Sequence, residues 1–351
     1  MTYLKNNFEE SPSISSSLCF HYSPNHIRDA ILRNQPVESK LHMIICVSNP
    51  CNYARRYDLA EKFIRRIEQN HSRDVILYVV ELAYNRQRFL VTRADNPRHL
   101  QIRTKTSALW AKEQLWNIGV KLLPADWKAV AFCDADIEFD NPDFAVQTLK
   151  LLNGDYDVLQ MFSHALDLNL HGDPMSIFTG FCYQITHRRP MYKSGIHFPH
   201  PGFSIAMTRE AYQQLGRLYD YGVLGSGDHH FWMSMIQRSQ ESIHKDASEG
   251  YKKSLLEYER KCVGMRLGFT PGTIRHYFHG SKAKRYYLER WSILTEHQFD
   301  PHIHVKRNVD GLLIPTRKCP KKLISDVQNY FEMRDEDESV QQIIEIASKA
   351  I

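Results

Sequence analysis

Two carboxylates, Asp134 and Asp136, stand where an apolar run ends in WKAVAFCDADIEF, residues 127–139. Two close anions repel each other and cost desolvation energy when buried, so the pair calls for a cation. A divalent metal ion that also holds a diphosphate would satisfy both with oxygen ligands. Aspartate is equally at home in a turn that ends a strand, so the triplet alone does not choose. A third acid, Asp228, closes Gly225-Ser226-Gly227-Asp228, downstream of His200-Pro201-Gly202-Phe203-Ser204. A carboxylate within reach of a hydroxyl can take its proton as that oxygen attacks, and glycines let backbone approach a ligand closely. The same tetrapeptide would also serve as a loop and helix cap. Late in the chain, His276-Tyr277-Phe278-His279-Gly280-Ser281-Lys282 brings two histidines and a lysine together. Carboxylate and imidazole are ligand types that Mn²⁺ accepts, with Mg²⁺ as the other expected ion.

These groups need a scaffold. The short, wholly apolar run Ala129–Cys133 predicts a central strand covered on both faces. Open α/β sheets take ligands at the carboxyl ends of such strands. Residues 43–47 predict the opening strand, which runs into the turn-forming loop Ser48-Asn49-Pro50-Cys51-Asn52. Leu59, Phe63, Ile64 and Ile67 recur at helical spacing. Residues 75–80 predict a second buried strand, and residues 89–92 a third nearer an edge. Residues 104–119 read as a helix with Leu109, Trp110 and Leu115 inward. Asn141-Pro142-Asp143 predicts a helix start with proline at its first position. Residues 157–161, 204–207 and 273–278 read as strands, Thr208 as a helix cap, and residues 282–296 as helical. The alternation of strands and helices argues for an α/β fold with a mostly parallel sheet flanked by helices. Three parts are expected. Residues 1–40 form a polar, Ser-rich arm with a short helix over residues 27–32. Residues 41–305 form one domain. Residues 306–351 form a charged tail, whose amphipathic Val340, Ile343, Ile344 and Ile346 predict an appended helix.

Composition sets outer bounds. With 351 residues, 24% charged and 42% hydrophobic, the chain can bury a large core. It has no run of about 18 apolar residues, so no transmembrane helix is expected. Its polar, acidic start lacks the apolar segment of a signal peptide. Seven scattered cysteines without a paired spacing suggest free thiols, so a cytoplasmic location is expected. A net charge of +5 is mild and does not call for nucleic acid. Basic residues cluster late, at Lys282, Lys284, Arg285 and Arg290 and again from Lys306 to Lys322, as a solvated face or a surface for an anionic acceptor.

Taken in order, the pieces resemble a glycosyltransferase of the GT-A fold over roughly residues 41–300. The likeness is to galactosyltransferase-like enzymes and to glycosyltransferase-like proteins of viruses and microbes. The Ser48-Asn49-Pro50 loop is similar to the segment that receives the nucleotide base, which implies donor contacts at Ser48 and Asn49. Trp110-Ala111-Lys112-Glu113-Gln114-Leu115-Trp116-Asn117-Ile118-Gly119 resembles an Arg/Lys-x-x-x-x-Asn-x-Gly helix, which implies Lys112 near a phosphate. Asp134-Ala135-Asp136 resembles the Asp-x-Asp motif, which implies Asp134 and Asp136 on a metal that holds the donor diphosphate. The resemblance also implies the loop before Ser204 against the donor sugar and Asp228 as general base for the acceptor hydroxyl. It implies His279 as the histidine that completes the metal shell, with His276 as the other candidate, and Lys282 against the leaving diphosphate. The donor implied is a nucleotide sugar, a UDP-sugar first, and the acceptor a glycan or glycoprotein. The Gly-Gly-Glu-Asp and Trp-Gly-x-Glu-Asn forms that separate inverting from retaining families are missing, and the Asp228 loop leans towards inversion.

Two other classes stay in view. A nucleotidyltransferase also pairs aspartates with a metal, but it usually opens with a Gly-rich phosphate loop that Ser48-Asn49-Pro50-Cys51-Asn52 does not supply. A non-catalytic carbohydrate-binding protein on the same scaffold would not need Asp134, Asp136 and Asp228 together.

Overall fold

The computed structural model of the protein describes residues 24–106, 109–189, 198–287 and 289–338. The chain runs α1 (Pro24–Arg33), β1 (Leu41–Ser48), α2 (Ala54–Asn70), β2 (Val75–Tyr84), β3 (His99–Thr104), α3 (Lys112–Gly119), β4 (Ala129–Cys133), β5 (Ile137–Phe139) and α4 (Phe144–Leu151). It continues through β6 (Val158–Gln160), β7 (His164–Leu168), β8 (Pro174–Gly180), α5 (Phe181–Thr186), β9 (Pro199–His200), β10 (Ser204–Thr208), α6 (Arg209–Leu215), α7 (Gly227–Met235) and α8 (Glu249–Lys261). The last elements are β11 (Leu267–Phe269), β12 (Thr273–His276), α9 (Trp291–Glu296), α10 (Pro301–His304), β13 (Val305–Arg307), β14 (Leu313–Pro315) and α11 (Lys321–Met333).

Seven strands form the large sheet in the order β11-β6-β10-β4-β1-β2-β3. All its pairings are parallel except the two made by β10. This is the expected α/β architecture, with β1 and β4 side by side at its centre. Their residues are buried because helices cover both faces: Phe63 and Ile67 of α2 and Leu115 and Trp116 of α3 enter the same core. A five-stranded sheet, β5-β12-β7-β8-β9, stands against the ends of the first. Six cysteines among the described residues are free thiols. No helix among the described residues is long and apolar enough to cross a membrane.

Several local expectations are corrected. Residues 89–92 are not a strand: the amides of Leu90 and Thr92 donate to the buried Glu81 carboxylate, at 2.8 Å each, instead of to a ladder. The third strand is His99–Thr104, parallel to β2. The helix read over 104–119 begins only at Lys112, because Trp110 N donates across the chain to Val223 O at 2.9 Å. Proline 142 does not open α4. Asn141 Oδ1 accepts from Asp143 N at 3.0 Å in a turn, and the helix starts at Phe144. Residues 282–296 are broken at Tyr286, whose φ of 46° ends the first short turn. The chain after residue 306 folds onto the main body: Leu323, Val327, Tyr330 and Phe331 of α11 are buried in the shared core. The amphipathic stretch from Val340 lies outside the described residues.

Candidate active site

Asp134, Ala135 and Asp136 are the three-residue step from β4 of the large sheet to β5 of the small one. Strand register then delivers the neighbours. β12 runs antiparallel to β5 with His276 opposite Ile137, so His276 arrives beside Asp136, and Tyr277 N donates to Asp136 O at 2.9 Å. On its other side β12 runs parallel to β7 with His276 opposite Asp167, and His276 Nδ1 meets Asp167 Oδ1 at 2.6 Å. β10 pairs with β4 through Ser204 and Cys133, so the His200–Phe203 loop lies over Asp134, whose amide donates to Phe203 O at 2.8 Å.

Two clusters result. In the first, His279 Nε2 is 3.2 Å and His276 Nε2 3.9 Å from Asp136 Oδ2, and the two imidazole nitrogens are 3.0 Å apart. Among the described residues, Asp136, His276 and His279 are the group whose ligand atoms converge closely enough to hold a metal. Asp136 Oδ1 is buried without a hydrogen-bond partner, an orphan that a cation would satisfy. Burial and the Arg285 guanidinium push the His279 imidazole down to about 4, so it is neutral and ligand-competent at neutral pH. Burial raises the Asp136 carboxyl, but His279, His276 and Arg285 outweigh it, so it stays ionised. Asp167 accepts from one imidazole nitrogen and leaves the other facing Asp136, the arrangement by which a carboxylate orients a metal-binding histidine. Oxygen plus two imidazoles suit Mn²⁺.

The second cluster is centred on Lys112, the first residue of α3. Its Nζ lies 3.1 Å from Asp134 Oδ1 and 3.8 Å from Asp228 Oδ2. Burial opposes its charge, but Asp134 and Asp228 more than restore it. Asp134 is pushed up to about 6, chiefly by burial and then by Asp136 and Asp228, against the pull of Lys112. Asp228 stays below its ordinary value because Lys112 and His200 outweigh burial, so it is an anion at neutral pH. It sits in the first turn of α7, where the helix dipole also favours a carboxylate. A Cβ on Gly202 would lie 3.0 Å from Asp228 Oδ2 and 3.0 Å from His200 Cε1, so a larger residue there would press on both side chains. Ser226, before it, holds a left-handed φ of 67° with its hydroxyl bound by Arg290 at 2.6 Å.

Both clusters line one cavity of about 580 Å³ at the carboxyl ends of the central strands. Ser48, Asn49 and Lys282 line it as well. The Ser48 hydroxyl shares a hydrogen bond of 2.8 Å with Tyr84, and the Asn49 amide closes its own loop onto Tyr53 N and O at 2.9 and 2.8 Å. Lys282 Nζ pairs with Asp167 at 2.5 Å and stands 4.4 Å over the Phe178 ring, at the rim. Asp134, expected on the metal, is held by Lys112 and stands outside the converging group. His276, the alternative to His279, joins it. Sequence reasoning missed Asp167, Glu113 and Glu336. Glu336 comes from the charged segment after α11, is fully buried against Arg56 and Arg334, and lies 3.9 Å from His279 Nδ1. Nothing local marks it as buried. Asp167 had a signal, an acid on the inward register of an apolar strand.

No protein-family model matches the sequence, and no curated protein matches it. Among solved structures, the catalytic domain of Drosophila beta1,4galactosyltransferase 7, crystallised with xylobiose, is similar at 11% identity, over 83% of this chain and 99% of that one, with a TM-score of 0.41. A mannosyltransferase from Pyrobaculum calidifontis, in complex with GDP-Man and Mn²⁺, is similar at 12% identity, over 93% of this chain and 86% of that one, with a TM-score of 0.41. The inositol-1-phosphate CTP transferase from T. maritima is similar at 10% identity, over 74% of this chain and 96% of that one, with a TM-score of 0.37.

Proposed function

We propose that the chain is a metal-dependent glycosyltransferase that moves a sugar from a nucleotide-sugar donor, a UDP-sugar first, to a hydroxyl of a glycan or glycoprotein. The observation that carries this reading is the convergence of Asp136, His276 and His279 in one cavity with a separate, ionised Asp228. Asp136, His276 and His279 would hold a divalent cation, whose charge offsets that of a leaving diphosphate. Lys112 ties Asp134 and Asp228 together and adds positive charge on the same wall. Asp228 takes the acceptor's proton as the acceptor oxygen bonds to the anomeric carbon and the bond from that carbon to the diphosphate oxygen breaks. Attack assisted by a base on the face opposite the leaving group gives inversion.

The products separate this reading from its rival. Purified protein incubated with UDP-glucose or UDP-galactose and Mn²⁺ is expected to release UDP, slowly to water and faster with a glycan acceptor. Release of pyrophosphate from a nucleoside triphosphate and a sugar phosphate would place the chain with nucleotidyltransferases. No turnover of any nucleotide sugar, with UDP bound, would leave a sugar-binding protein.

A further inference from the structure

One acid of the cavity wall has no role in the scheme above. Glu113, the second residue of α3, is 5% exposed and lines the cavity. Its Oε1 is buried without a hydrogen-bond partner. Its place is tightly set: a Cβ on Gly227 would lie 2.5 Å from that oxygen, so the carboxyl is packed against the residue that precedes Asp228. Neither of the obvious neighbours satisfies it. Lys112 points its ammonium at Asp134 and Asp228, and the α7 amides of His229 and His230 donate to Asp228 Oδ1 and Ser226 O. A second buried orphan, the indole Nε1, belongs to Trp110, which also lines the cavity.

We propose that Glu113 is a recognition group for a hydroxyl of the donor's sugar, seated beside the Asp228 base. The inference rests on the reading of this cavity as a nucleotide-sugar site. The sugar is the part of the donor that must lie beside Asp228, because the attacked carbon belongs to it. A buried polar group left unpaired is costly, and a ligand hydroxyl that pairs with it removes that cost. Burial first, and then the Asp228 charge, raises the Glu113 carboxyl to about 8 against the pull of Lys112. At neutral pH it therefore carries a proton and offers one donor and one acceptor to a hydroxyl. Sites that hydrogen-bond a substrate hydroxyl reject analogues that lack it, so Glu113 acts in donor choice.

Calorimetry with Mn²⁺ tests this, comparing bare UDP with UDP-glucose, UDP-galactose and UDP-N-acetylglucosamine. The parent is expected to bind one of these sugars more tightly than UDP. Glu113→Leu should leave UDP affinity unchanged and cut the sugar's added affinity about tenfold, while Glu113→Gln, which still donates and accepts, keeps it within about threefold. Where Glu113→Leu does not fold, Glu113→Asp, one methylene shorter, is expected to show the same selective loss. Unchanged sugar affinity in these variants overturns the proposal, as does equal loss for UDP and UDP-sugar or a parent that binds no sugar better than UDP. A parent that does not bind UDP at all defeats the donor-site reading itself, before Glu113 comes into question.

Discussion

Asp228→Asn is expected to bind UDP and Mn²⁺ like the parent and to transfer sugar about 10²–10⁴-fold more slowly. The asparagine keeps the shape of the carboxylate, and the acceptance from His229 N at 2.8 Å can be kept by its carbonyl oxygen. What it loses is the ability to take a proton. Lys112 and His200 hold the parent carboxyl below its ordinary value, so the base is present through the whole neutral range. The proposed metal group, Asp136, His276 and His279, is carried by the β4–β5 step and the end of β12 rather than by α7, so nucleotide binding should survive. Single-turnover transfer and UDP titration separate the two effects. Near-parent transfer would point to a retaining mechanism without this base. Loss of UDP binding would give Asp228 a donor-site role instead.

Asp136→Asn carries the second large effect. Asp136 is the anion towards which both imidazoles point, and its second oxygen is an orphan. The substitution removes the negative charge and leaves a weaker neutral oxygen. Changes one layer further from a metal typically cost 10–100-fold in affinity, so loss of the central ligand should exceed about 100-fold. Mn²⁺-dependent release of UDP from a UDP-sugar should fall to background at any attainable Mn²⁺ concentration, with a melting profile that still shows one cooperative unfolding. Turnover equal to the parent's at the same Mn²⁺ concentration would remove Asp136 from the metal. His276→Ala should weaken metal binding in the same direction, which an assignment to His279 alone does not predict.

The central strands and the acids at their ends were legible in the sequence because both signals are local. Ala129–Cys133 has no polar residue to place it anywhere but the interior, and the two acids that follow mark where the strand ends. Phe89 to Thr92 carries the same kind of apolar signal. There, a tertiary partner decided the outcome, because the Glu81 carboxylate takes amides that a strand would have used. Trp110 left the helical pattern for a similar reason, a backbone bond to Val223 on a distant segment. At the site, the composition of the metal group depends on register. His276 meets Asp136 and Asp167 because β12 pairs with both β5 and β7, and no spacing along the chain encodes that pairing. Asp134 and Asp136 look alike in sequence. They part because α3 brings Lys112 to the first and the β12 segment brings imidazoles to the second.

The location of bound Mn²⁺ decides whether Asp136, His276 and His279 are the metal ligands. Crystals grown with UDP and Mn²⁺ and measured at the manganese absorption edge should show one anomalous peak in the cavity. The peak is expected between Asp136, His276 and His279, with UDP phosphate oxygens beside it and Lys112 still on Asp134. A peak held by Asp134 without either histidine would contradict the assignment of the metal centre. Bound UDP with no manganese in the cavity would contradict the metal-dependent mechanism as a whole.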